Sequence, residues 1–128
     1  MLGEADGAKT ASILERAELV LTSDLTLIEC ERVLIRTTSS KALSEADAVD
    51  RRAALRRAAE HWVLLRLDDE IRNRSKLPFP AEPVRTLDAI HLASALIGRG
   101  MVPGLLMLSL DRRVRENAAA LGFDVLPD

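Results

Sequence analysis

The sequence predicts a single α/β domain, a three-layer fold in which helices cover both faces of a parallel sheet. Short apolar segments alternate with amphipathic helical segments along the chain, which is the order expected of parallel strands joined by helices. The chain has 128 residues, 48% of them hydrophobic, which is enough for one core and too few for a second domain. We therefore assign residues 1–128 to one domain.

Five elements are predicted in the first half of the chain from hydrophobic spacing and helix signals. ELVLT predicts a short strand, and Ser23 directly after it is assigned as the N-cap of the next helix. Ser44 and Asp47 have the spacing of a capping box and open a third helix. The predicted ranges are helix 5–17, strand 18–22, helix 24–37, helix 44–62 and strand 63–67.

The second half of the chain continues the alternation. Pro83 is expected to enter the longest helix at its first position, and Gly98 and Gly100 are expected to close it. The apolar run LLMLSL predicts a buried strand and FDVLP a last short one. The predicted ranges are helix 68–76, helix 83–100, strand 105–110, helix 111–122 and strand 123–127.

Asp88 lies near the start of TLDAIHLASAL, a helical stretch with almost no polar face. At about 100° per residue, Leu92 lies on the side of Asp88, and apolar residues cover the other sides. We expect this helix to be buried all round, where an ionised carboxylate needs a cation or hydrogen-bond donors. A structural salt bridge with Arg85, three residues earlier, is the alternative to a functional partner.

Two more acids occupy informative positions, because parallel sheets bind ligands at the carboxyl ends of their strands. Asp111 directly follows LLMLSL and opens a helix, and an ordinary N-cap is its alternative role. Glu29 lies in the second turn of the helix after ELVLT, and an exposed helix position is its alternative. The same rule singles out Ser23, Asp68 to Glu70, and Ser109.

A metal ion would explain carboxylates that converge on one place, since it removes their mutual repulsion. The chain has one cysteine, Cys30, which we expect to be an inert core thiol, and only two histidines. A zinc cluster of Cys and His is therefore excluded. Hard oxygen ligands favour Mg²⁺ or Mn²⁺.

Charge and composition constrain the partners. The net charge is −2, but residues 51–76 hold eight basic and four acidic side chains. This stretch is either a binding surface for phosphate-rich partners or a solvated helix face. With no Tyr, one Trp and two Phe, modules that stack bases on aromatic rings are disfavoured. The longest apolar run, 101–110, is too short to span a membrane, and no signal pattern is seen, so we expect a cytoplasmic protein.

Three motifs resemble those of the PIN-domain ribonucleases, most closely the VapC-type toxins of bacterial toxin-antitoxin pairs: TSDLTLIECERVL, RTLDAIHLASAL and LSLDRRVRENAAALGFDVLP. The resemblance implies a magnesium-dependent endoribonuclease that hydrolyses RNA, is neutralised by a cognate antitoxin and forms a homodimer. Glu29, Asp88 and Asp111 match acids that hold metal in that family, and Ser109 stands where the family often carries Thr or Ser. Arg112, Arg113 and Arg115 are candidates for contacts with RNA phosphates, with a solvated face as the alternative. Arg85 is a candidate for the same contact or for orienting Asp88.

One family feature is missing, a first strand that ends in an aspartate before the first helix. The segment MLGEADGA resembles what normally follows that strand, so we expect an N-terminally truncated PIN-like domain. If the natural chain starts upstream, the full set of acids exists and the protein is a ribonuclease. If it starts at Met1, three acids bind metal weakly, and a catalytically impaired scaffold that binds an antitoxin or a second copy is the alternative function.

Overall fold

Residues 4–128 are described by a computed structural model, and they form six α-helices and four β-strands. The helices are α1 (Glu4–Arg16), α2 (Leu25–Ser39), α3 (Glu45–Ala59), α4 (Asp69–Ser75), α5 (Thr86–Met101) and α6 (Arg112–Ala120). The strands are β1 (Val20–Ser23), β2 (Trp62–Leu65), β3 (Met107–Leu108) and β4 (Val125–Leu126). The first three residues of the predicted domain lie outside the described residues. No helix in the described range is long and apolar enough to cross a membrane.

The chain divides into two compact units. The α2–α3 unit is Leu19–Arg66 and contains β1, α2, α3 and β2. The α5–α6 unit consists of the chain up to Glu18 together with Leu67–Asp128, and it contains α1 and the remaining helices and strands. A single domain over 1–128 stays a prediction.

Strand pairing is parallel in both units, which confirms the predicted α/β class. β1 pairs with β2, with Val20 opposite Trp62, and β3 pairs with β4. Each pair is joined through intervening helices, as parallel neighbours require. The strand predicted over 105–110 is shorter in the structure, because only Met107 and Leu108 have partners on the two-residue β4.

Helix caps and one ion-pair cluster organise the α2–α3 unit. The Ser44 hydroxyl accepts a hydrogen bond from the Asp47 amide at 3.1 Å, as the capping-box spacing predicts. The carboxylate of Glu31 on α2 lies 3.4 Å from the Nε of Arg52 and 3.5 Å from Arg56, both on α3. The N-cap prediction for Ser23 is wrong by one residue, since Ser23 ends β1 and Asp24 takes the cap position.

The core of the α5–α6 unit surrounds the middle of α5, which buries Ala89, Leu92, Ala93, Ser94 and Gly98 on several sides. The prediction that this helix is buried all round fails in its first turn, where Leu87 is 45% exposed and Asp88 is half-buried. The carboxylate of Asp88 therefore has access to the surface. Hydrophobic spacing overestimated the burial, since it counts apolar side chains without knowing which sides the neighbouring elements cover.

The ends of α5 also differ from the prediction. Pro83 does not enter the helix, which begins at Thr86. The Glu82 carboxylate accepts hydrogen bonds from the amides of Phe79 and Val84, at 2.8 and 2.7 Å, and holds this stretch as a loop. At the other end the helix runs through both predicted stop glycines to Met101. Tertiary packing offsets the propensity cost of glycine in a helix.

Candidate functional site

A cleft of about 630 Å³ lies in the α5–α6 unit, at the N-terminal ends of α5 and α6. Its lining includes two of the three predicted metal ligands and three of the four arginines predicted to contact phosphates. The lining residues are Pro83, Val84, Arg85, Asp88, Asp111, Arg112, Arg113 and Glu116. Three carboxylates and three guanidinium groups thus share one concave surface.

Asp88 contributes to the cleft from the first turn of α5. A helix N-terminus has a partial positive charge, which stabilises an ionised carboxylate in the first turn. Half-burial removes part of the surrounding water and strengthens any interaction of this carboxylate with a cation. Asp88 is thereby placed to bind a cation.

Asp111 is the N-cap of α6, which was its predicted alternative role. Its Oδ1 accepts a hydrogen bond from the Val114 amide at 3.0 Å. A carboxylate offers about four acceptor positions, so one capping bond leaves room for a cation. The cap fixes the direction of the carboxylate, and Asp111 lines the cleft as well. Capping and cation binding are therefore compatible here.

The backbone that carries Asp111 is held by two neighbours. The Asp111 amide donates to the Oγ of Ser109 at 3.2 Å. Arg115 donates to the carbonyl oxygens of Ser109, Leu126 and Pro127, at 2.8, 3.0 and 2.7 Å. The phosphate-contact prediction for Arg115 is wrong, because its guanidinium is engaged with three backbone carbonyls at the ends of β3 and β4.

The other predicted arginines do line the cleft. Arg85 and Arg112 are exposed, whereas Arg113 lies 3.9 Å from Glu116 and 3.4 Å from the Ala81 carbonyl oxygen. Glu116 was missed by the sequence analysis. Its spacing of four residues from Arg112 places both on one side of α6, and that signal was available.

Glu29 belongs to the α2–α3 unit, where it is half-buried on α2. Burial raises the pKa of the neighbouring Cys30 thiol, and the negative charge of Glu29 raises it further. Within either unit, the described Asp, Glu, His and Cys side chains form no group of three or more that could hold a metal ion. The role of Glu29 as a ligand stays a prediction.

The basic stretch 51–76 makes many contacts within the protein. Arg52 and Arg56 pair with Glu31, and Arg72 pairs with Asp69. Arg74 stacks over the ring of Phe79, with its guanidinium carbon 4.2 Å from the ring centroid. Half of the eight basic side chains in this stretch therefore have structural contacts, which favours the alternative to a phosphate-binding footprint.

Comparison with known proteins places this architecture in a family. Residues 1–120 match the family model described as PIN domain. Ribonuclease VapC35 of Mycobacterium tuberculosis, from strain CDC 1551 / Oshkosh and from strain ATCC 25618 / H37Rv, is 32% identical over 117 residues, which cover 88% of this chain and 76% of the relative. Both findings agree with the motifs around Asp88 and Asp111. The chain belongs to the PIN-domain family as a nuclease of the VapC ribonuclease type.

Proposed function

We propose that this protein is a divalent-metal-dependent endoribonuclease toxin in which Asp88 and Asp111 bind the metal ion. The observation that carries the proposal is that these two carboxylates line the same cleft as Arg85, Arg112 and Arg113. Carboxylates bind a hard cation and guanidinium groups bind phosphate, so the cleft has the two kinds of group that phosphodiester hydrolysis requires.

The donor set of the cleft fits Mg²⁺ or Mn²⁺. Its candidate ligands are carboxylate oxygens, and Mg²⁺ is commonly held by one or two carboxylates while it keeps several waters and binds substrate phosphate. PIN-domain nucleases generally use divalent ions, and the choice between Mg²⁺ and Mn²⁺ is part of the proposal. When bound, the ion lowers the pKa of a water molecule and neutralises charge that develops on the phosphate. Glu29 is the proposed further ligand on the grounds of its sequence motif.

The arginines have the second task, which is to bind and orient the RNA. Arg85 and Arg112 project from exposed positions on different elements of the cleft, so they suit two phosphates or two oxygens of one phosphate. Arg113 is restrained by Glu116 and by the Ala81 carbonyl, and it suits a fixed contact near Asp111. With no aromatic residue in the lining, affinity for RNA comes from charge rather than base stacking.

Two partners are proposed besides RNA. A cognate antitoxin would neutralise the toxin by occupying the cleft, and a second copy would complete a homodimer. Membership of the VapC type supports both proposals. Gel filtration of the protein alone, and RNA cleavage with and without the co-purified antitoxin, test the two statements separately.

The function is tested with Asp88→Asn, which keeps the side-chain shape and removes the charge. We expect RNA cleavage in Mg²⁺ or Mn²⁺ to fall by about 10²–10³-fold, the usual effect of removing one electrostatic stabiliser of a transition state. Asp124→Asn is the matched control, since Asp124 is an exposed aspartate of the same unit that does not line the cleft. Wild-type cleavage by the Asp88 variant refutes the proposal. Absence of both cleavage and Mn²⁺ binding in the wild-type chain favours the scaffold alternative.

A further inference from the structure

Asn117 on α6 is a buried polar residue that the cleft chemistry does not use. It is 0% exposed, and its side-chain amide makes three hydrogen bonds. Its Oδ1 accepts from the amide of Ala81 at 2.8 Å, and its Nδ2 donates to the Ala81 carbonyl at 3.1 Å and to the Arg113 carbonyl at 2.9 Å. Two of these bonds connect residues that are 36 positions apart in sequence.

The bonds to Ala81 connect α6 to the loop that forms one wall of the cleft. Ala81 directly precedes the stretch Glu82–Arg85, and three residues of that stretch line the cleft. The hydrogen bonds of Glu82 lie within this loop, because they connect it to the amides of Phe79 and Val84. Asn117 instead fixes the loop to the helix that carries the opposite wall. Arg85, the N-cap of α5, lies four residues after this contact.

Asparagine is well suited to this task. Its amide pairs with both the N–H and the C=O of one residue, as a neighbouring strand would, and a buried peptide group without such partners is costly. Burial strengthens the pair and restricts its geometry. The Ala81 carbonyl also lies 3.4 Å from a guanidinium nitrogen of Arg113, which adds a second connection to the same atom.

We propose that Asn117 is a positioning residue for RNA binding, because it holds the Ala81–Arg85 wall at the distance from α6 at which Arg85 contacts substrate phosphate. This inference rests on the proposed ribonuclease function. Asn117 then affects RNA binding through the position of Arg85, and its loss leaves the carboxylates of Asp88 and Asp111 in place. Loss of the contact should weaken RNA binding as removal of the Arg85 guanidinium does.

The test uses Asn117→Ser, Arg85→Ala and the double variant in the full chain. A buried serine can still donate to the carbonyl four residues earlier, here that of Arg113, but it is too short to pair with Ala81. Should Asn117→Ser not fold, Asn117→Thr is the second variant, since its hydroxyl can make the same bond to the Arg113 carbonyl while its methyl group fills more of the buried space. Ala118→Gly is the control for a loss of stability at the neighbouring buried position.

Binding of a fluorescently labelled single-stranded RNA is measured by anisotropy over a series of salt concentrations. We expect each single variant to bind about tenfold more weakly, the scale of one charge-assisted hydrogen bond. The slope of log K against log salt should become shallower by about 0.7 in both, the value for one phosphate contact on a single strand. The double variant should match Arg85→Ala.

Each other outcome overturns the proposal. Additive losses in the double variant, an unchanged salt slope in Asn117→Ser, or an equal effect in Ala118→Gly would mean that Asn117 only stabilises the fold. If the wild-type chain neither binds nor cleaves RNA, the proposed function itself fails. Wild-type RNA binding with additive losses refutes only the role of Asn117.

Discussion

Asp111 combines a structural and a chemical role, and substitutions can separate the two. Asn caps helices about as well as Asp does, so Asp111→Asn should keep the bond to the Val114 amide. It removes the negative charge, however, and with it a proposed ligand of the metal ion. We expect an unchanged melting temperature together with a loss of RNA cleavage of about 10²–10³-fold.

Asp111→Ala removes both roles, and the lost capping hydrogen bond determines how much stability the variant loses. Loss of an N-cap side chain costs about 1 kcal/mol, with a range of about 0.5–2. For a chain of 128 residues this corresponds to a lower melting temperature by about 3–5 °C. Cleavage should fall as far as in Asp111→Asn. The difference between the two variants is therefore in stability alone.

Asp68 supplies a matched control, because it caps α4 in the same unit with an equivalent hydrogen bond. Its Oδ1 accepts from the Ile71 amide at 3.0 Å, and it does not line the cleft. Asp68→Ala should lower the melting temperature as Asp111→Ala does and leave RNA cleavage unchanged.

The assays are cleavage of a fluorophore-quencher RNA at saturating Mn²⁺, calorimetric titration of Mn²⁺, and thermal unfolding. Wild-type cleavage by Asp111→Asn would refute the ligand role and leave Asp111 as a cap. An equal loss of cleavage in Asp68→Ala would show that the effect of Asp111→Ala comes from stability.

Four more predictions concern contacts outside the carboxylate pair. Arg112→Ala should weaken RNA binding about tenfold without lowering the melting temperature. Arg115→Ala should lower the free energy of unfolding by about 1–3 kcal/mol in urea titrations, because it removes the guanidinium hydrogen bonds to the carbonyls of Ser109 and Pro127. The Leu126 carbonyl keeps its bond from the Ser109 amide. The raised pKa of Cys30 leaves less thiolate at pH 8, so Cys30 should react with iodoacetamide more slowly than a free cysteine does. Glu29→Gln removes a negative charge beside the thiol and should accelerate the reaction. An unchanged rate in this variant would contradict the influence of the Glu29 charge. Leu92→Ala in the core should cost about 2–5 kcal/mol of stability, and a smaller loss would contradict the placement of α5.

The position of Asp111 was predictable because it depends on local sequence. It directly follows the apolar run that contains β3, and a residue after a parallel strand lies at the ligand edge of a sheet. The premise that selected Asp88 holds for the middle of α5 and fails at its ends, since Leu87 and Met101 are exposed. The family motif around Asp88 supported the same choice independently of burial.

The second wall of the cleft could not be predicted from periodicity. Its position depends on Asn117 and Ala81, which are distant in sequence and show no pattern that links them. Asn117 stands in the run NAAALG, where it reads as one polar residue on a helix surface. Hydrogen bonds between distant segments carry no periodic signal, so the sequence indicates Asp88 and Asp111 but not the contacts that set their surroundings.

This arrangement affects how variants of the protein should be interpreted. The contacts that stabilise the α5–α6 unit, namely the cap at Asp111, the Arg115 contacts with backbone carbonyls and the Asn117 pair with Ala81, are also the contacts that shape the cleft. Alanine at any of these positions changes stability and the site together, so a loss of cleavage alone assigns no role. Substitutions that keep shape and remove one property, such as Asp to Asn, separate the two effects. The ligand role of Asp111 and the positioning role of Asn117 therefore depend on such pairs of variants for their proof.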